Sequence, residues 1–111
     1  MVFVFKDNKF LIKTNLCKSF LSKGLGLMFT FKPKSVLLKN NYESIIGSGI
    51  HMFFMFYSID IYWLDKNLKV VDIKKSLKPF TINHFPKNKA MYTLEVPCNS
   101  IKLEIGDTIH I

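Results

Sequence analysis

Ile59, Ile61 and Trp63 alternate with Asp60, Tyr62 and Leu64, and the polar triplet Asp65-Lys66-Asn67 separates that run from Leu68–Lys74. Strict alternation sends successive side chains to opposite faces of a strand. Val70, Val71 and Ile73 carry the β-branched side chains that fill a pleated surface. A helix would scatter these apolar residues around its circumference, so the stretch is constrained to a β-hairpin. A chain of 111 residues, 49% of them apolar, buries enough surface around such a hairpin to need no disulfide or metal staple.

The remaining segments are read the same way. Val2–Lys6 and Phe10–Thr14 are β-prone runs around Asp7-Asn8-Lys9, a second hairpin. Asn15 can cap a short helix with Leu16, Phe20 and Leu21 on one face, stopped by Gly24 and Gly26. Ser35–Leu38 reads as a short strand and Lys39–Ser44 as a polar loop. Ile50–Tyr57 is the densest apolar run and reads as a buried strand. Pro79 and Pro86 make Lys78–Asn88 a loop or an edge. Met91–Val96 alternates, and Pro97 ends it. Asn99 or Ser100 can then cap a helical turn through Ile105, with a last strand at Thr108–Ile111. The expectation is one domain over residues 1–111, mainly β, a β-sandwich or partly open β-barrel with two short helices near residues 15–24 and 98–105.

Sixteen cations against eight anions give a formal charge of +8, and every cation is Lys. Without Arg the chain lacks the planar fork used for base readout and bidentate phosphate binding. Lysines alone attract polyanions as point charges, without regard to sequence. Abundant Lys, Asn, Ile and Phe are also what AT-rich coding produces. Cys17 and Cys98 lie far apart with no metal-ligand spacing, and read as free thiols of a reducing cytoplasm. Nothing at the start has signal-peptide form, and Ile45–Leu64, interrupted by Gly47, Gly49, His51 and Asp60, is too broken for a membrane span.

Several blocks carry a resemblance. Gly24-Leu25-Gly26-Leu27-Met28-Phe29 resembles the GLMF element of the domain of unknown function 192 family. Ile50–Phe56 with Ile59-Asp60-Ile61 resembles the family's central block in its archaeal form, and Trp63-Leu64-Asp65 through Val70-Val71 its following hairpin. Leu94-Glu95-Val96-Pro97 through Gly106-Asp107 resembles its closing elements. The blocks are in order and span residues 14 to 109. Thr30 stands where the family usually has a basic residue, so an anion contact made there in relatives would be lost. The resemblance implies a compact β fold with short helices and no particular activity.

Three constellations bear on function. His51, Met52, Met55 and Met28 are soft donors suited to Cu(I), but in a strand His51 and Met52 point apart, and methionines fill core gaps without a cofactor. Neither metal nor cofactor is expected. Asp60 interrupts an apolar run, and a buried carboxylate must be paired or hydrogen-bonded. It either accepts backbone N–H groups at a strand crossing with a Lys or His51 as partner, or forms an acid–base pair with His51 in a pocket. Lys74, Lys75 and Lys78, with Phe80, His84 and Phe85 interleaved, have the ingredients of a single-strand binding tract.

No nucleophile elbow, phosphate loop or dinucleotide fingerprint is present. The expected function is therefore a non-catalytic binding or accessory module. Its small ligand or protein partner would sit in an aromatic-lined pocket around Met28, His51, Asp60 and Trp63. The alternative is a nucleic-acid or polyanion binder using Lys74, Lys75 and Lys78, and a third reading is a small hydrolase built on Asp60.

Overall fold

The computed structural model describes residues 2–17, 35–44, 58–78 and 85–111. Six strands account for most of them: β1 (Val2–Lys6), β2 (Lys9–Cys17), β3 (Val36–Ser44), β4 (Ile59–Leu64), β5 (Val70–Leu77) and β6 (Ala90–Pro97). They form one sheet in the order β1-β2-β3-β6-β4-β5. β2 is shared along its length, its first part antiparallel to β1 and Asn15–Cys17 parallel to β3.

Both hairpins form where the polar triplets stand. Asp7 and Asn8 take positive φ values of 51° and 65°, the twist that a two-residue hairpin turn requires and Asn and Asp tolerate. At the other turn the Asp65 carboxylate accepts the N–H groups of Asn67 and Lys69 at 2.8 and 3.0 Å, which holds Leu68 at a φ of 63°.

Four expectations change. Of the first helix, Asn15–Cys17 belongs to β2, because these residues continue a strand that finds a parallel partner in β3; residues 18–34 lie outside the described set. The 98–105 helix is replaced by a turn and an extended segment. Ser100 donates from both N–H and Oγ to the Pro97 carbonyl, and Asn99 has a φ of 61°, which a helix excludes. Beyond the turn, Ile101 and Leu103 are buried while Lys102 and Glu104 are exposed. That period is two, not 3.6. Lys39–Ser44, expected as a loop, extends β3. Among the described residues the strands make one open sheet that does not close into a barrel, rather than the two stacked sheets of a sandwich.

The C-terminal segment lies across both ends of this open sheet. His110 exchanges two 2.8 Å backbone hydrogen bonds with Phe5 of β1, and Thr108 bridges Lys69 beside β5. Lys6 pairs with Asp107 at 3.0 Å to close the same corner.

The core has two parts. Val4, Leu37, Tyr62, Leu64, Leu94 and Val96 pack with Ile101, Leu103 and Ile109 on the first face. Val36, Ile59, Ile61, Trp63, Leu77 and Ala90 form a second cluster. β4 contributes to both, so all six of its residues are buried; its alternation separates two cores. Thr14 places a buried hydroxyl oxygen without a hydrogen-bond partner. Thr14→Val keeps the β-branched shape and removes that unsatisfied group, and is expected to stabilise the fold by about 1–2 kcal/mol in urea titrations.

Candidate functional site

β4 carries Asp60 on the first face, wholly buried. Its neighbour β5 has one extra residue between the pairs Ile59↔Leu77 and Ile61↔Lys74, a bulge that turns the Ser76 N–H toward the carboxylate. Oδ1 accepts the Ser76 N–H and Oδ2 the Asn99 N–H, each at 2.8 Å. The Lys75 ammonium lies 2.7 Å from Oδ2. Ser76 and Asn99 are both in the left-handed region, with φ of 52° and 61°, so one carboxylate pins two strained backbone sites.

Lys75 also reaches the Tyr62 hydroxyl at 3.2 Å, and that hydroxyl donates to the Ile101 carbonyl at 3.1 Å. Burial alone would raise the Asp60 carboxyl. The Lys75 ammonium and the N–H groups of Asn99 and Ser76 outweigh it and hold the carboxyl below its ordinary 3.8. The same carboxylate holds Lys75 above 10.5 against a smaller opposing effect of burial. Asp60 is thus engaged on both oxygens by the protein itself. Tyr62, Ile73, Lys75, Asn99 and Lys102 border an open depression of about 640 Å³ beside this network.

Trp63 does not share that environment. It is wholly buried in the second cluster, on the opposite face of β4 from Asp60. His51 and Met28 lie outside the described residues. The three lysines are likewise divided. Lys74 pairs in register with Ile61 and shares its face, Lys75 turns to Asp60 on the other face, and Lys78 follows the end of β5 with an interaction of its own.

The acid that does lie on the face of Trp63 is Glu95. β6 runs between β3 and β4, and the register Val36↔Glu95↔Ile61 sets its side chain between two residues of the second cluster. Thr93, two residues earlier, stands directly across from Trp63. Glu95 is 7% exposed, and among the described residues nothing gives its carboxylate a hydrogen bond or an ion pair. Burial pushes its pKa up to about 7 from 4.5. Sequence reasoning passed over this residue because Tyr92, Leu94 and Val96 alternate with Met91, Thr93 and Glu95, the pattern of a strand with one wet face. Both faces of β6 are buried because a hydrophobic cluster lies on each side of the sheet there.

Comparison with known proteins fits this architecture. A solved structure of a protein of unknown function from Novosphingobium aromaticivorans superposes with a TM-score of 0.84 over 98% of this chain and 82% of that one, at 14% identity; at that identity the likeness concerns the fold. A UPF0127 protein of Pyrococcus horikoshii is 40% identical over 100 residues, covering 87% of this chain and 85% of the relative. A UPF0127 protein of Pyrococcus furiosus is 34% identical over 113 residues, covering 98% and 95%. The profile of domain of unknown function 192, described as an uncharacterized ACR, matches residues 2–111. This chain belongs to that family.

Proposed function

We propose that the protein is a cytoplasmic, non-catalytic binding module whose small ligand meets the second face of the sheet. Glu95 and Thr93 of β6 lie there beside Ile61 and Trp63 of β4. The observation that carries this reading is the Glu95 carboxylate, only 7% exposed and given no hydrogen bond or ion pair among the described residues. Buried polar groups are normally hydrogen-bonded, and an exception calls for a function or an absent partner. A ligand bearing an ammonium or hydroxyl donor supplies what Glu95 lacks, and its gain is large because the surroundings are apolar.

The acid of the aromatic-lined site is then Glu95 rather than Asp60, and Met28 and His51 are proposed as further contacts. Asp60 is wholly buried with both oxygens engaged by Ser76, Asn99 and Lys75, which argues against a hydrolase centred on it. The free Cys98 thiol suits a reducing compartment.

The test is thermal denaturation at pH 7.5 with ethanolamine, putrescine and the free L-amino acids at millimolar concentration. At least one amine is expected to raise Tm by several degrees, roughly the effect of a concentration ten times Kd on a domain this size. Glu95→Gln should abolish that rise while remaining folded. A wild-type Tm indifferent to every amine, or an equal shift in the variant, would overturn the reading.

A further inference from the structure

The β1–β2 hairpin presents an aromatic surface at the β1 edge of the sheet, three strands from β6 on the side that also carries Glu95. Val4 points inward and is fully buried. Its chain neighbours Phe3 and Phe5 therefore point outward. Register places Phe10 across from Phe5 and Lys13 across from Phe3. Leu11 is the extra residue of a bulge between Val4 and Phe5, which brings Phe10 onto the outward row. The Phe10 ring meets Phe3 at 6.1 Å and Phe5 at 5.8 Å between centroids.

Phe3 is 50% and Phe10 55% exposed, so two rings of a contiguous trio remain in water. Lone surface aromatics need no explanation, but a cluster of this kind marks a binding surface. Lys13, directly across from Phe3, is exposed on the row of the rings, and Asp7 at the turn is the only acid in the hairpin.

We infer that this outward face of the β1–β2 hairpin binds single-stranded nucleic acid, with bases stacked on Phe3 and Phe10 and a phosphate neutralised by Lys13. The argument is charge complementarity combined with the order of the groups. Base–aromatic stacking is tolerant of sequence, and a Lys-only surface contributes point charges without base readout. Lys13 stands in the row of the rings, directly across from Phe3, which suits a polymer that alternates phosphate and base. A membrane surface would force Lys13 toward the acyl region together with Phe3. A second copy of the chain would set lysines against lysines, because an isologous contact brings the same patch from both partners.

This surface replaces the Lys74, Lys75 and Lys78 tract as the polyanion site, since those three do not lie together. It is independent of the Glu95 reading: amine binding and oligonucleotide binding are read separately, and Glu95→Gln should leave the latter intact.

The experiment is fluorescence anisotropy of a labelled oligo(dT) 20-mer titrated with the full chain at 50 and 200 mM salt. The wild type is expected to bind with a strong salt dependence. Phe3→Ser with Phe10→Ser should weaken binding tenfold or more at both salt concentrations. Lys13→Ala should lower the salt slope by about 0.7, the value for one phosphate on a single strand. Both rings are half-exposed, so the variants should unfold with the wild type, and Lys13→Ala provides a reading that does not touch the aromatic trio. No binding at 50 mM salt would overturn the inference, as would an undiminished affinity in the Phe3/Phe10 variant. It would also fall if those substitutions instead abolished co-sedimentation with phosphatidylserine vesicles or a concentration-dependent dimer and left oligonucleotide binding unchanged.

Discussion

Asp60→Ala is expected to destabilise the protein by about 3–5 kcal/mol, through the loss of two hydrogen bonds to a charged group at roughly 1.5–3 kcal/mol each. Against the roughly 5–15 kcal/mol of a domain this size, the variant will be marginal or unfolded at 37 °C. The loss does not come mainly from the ion pair, because the Lys75 side chain is 47% exposed and can turn to water. It comes from the Ser76 and Asn99 N–H groups, which lose a charged acceptor while their backbone stays in left-handed conformations. Lys75→Met should therefore cost far less, about 1 kcal/mol. Urea titrations of the two variants decide the matter, and equal losses would show that the ion pair dominates. The carboxyl of Asp60 is held below its unfolded value, so its contribution is complete above pH 3.8 and disappears as pH falls through the folded pKa.

Glu95 should act in the opposite direction. Its folded pKa of about 7 lies above the unfolded 4.5. Between those values the folded state holds the proton that the unfolded state has released, so stability falls as pH rises and levels off above about pH 7. The gap corresponds to about 3 kcal/mol. Glu95→Gln imitates the protonated acid and should remove this penalty. At pH 8 its Tm should exceed the wild type's by roughly 10 °C, and at pH 5 the two should nearly coincide. Parallel pH profiles for the two proteins would show that the carboxyl is not titrating in an apolar setting. A site residue that lowers the stability of its own fold is the usual bargain between stability and binding.

The sequence made local structure readable wherever turn chemistry and alternation agreed. Asp65-Lys66-Asn67 and Asp7-Asn8 named both hairpins because their side chains and φ preferences act within a few residues. It misled where a short-range signal had a second solution. Asn99 and Ser100 are good helix caps, but here their N–H groups close a turn and hold Asp60, a residue far away in the chain. Lys39–Ser44 is too polar to read as a strand, and is one because β6 lies alongside. The site shows the same limit. Trp63 was picked out for its bulk and Asp60 for interrupting an apolar run, but their opposite parity on β4 separates them. Glu95 stands in an alternating strand that reads as having one wet face, and the clusters that cover both faces of β6 come from residues distant in the chain.

That order has a consequence for how the chain reaches its fold. β6 is the last strand in sequence and lies between β3 and β4. Until it is synthesised, β1-β2-β3 and β4-β5 are separate fragments, each with an unpaired edge where β6 will bind. On a ribosome adding about 5–20 residues per second, those edges wait for seconds. The polypeptide therefore cannot assemble its sheet strand by strand from the amino end. It must insert a keystone, and a nascent chain of this protein is most exposed to edge-to-edge aggregation just before Ala90–Pro97 leaves the exit tunnel.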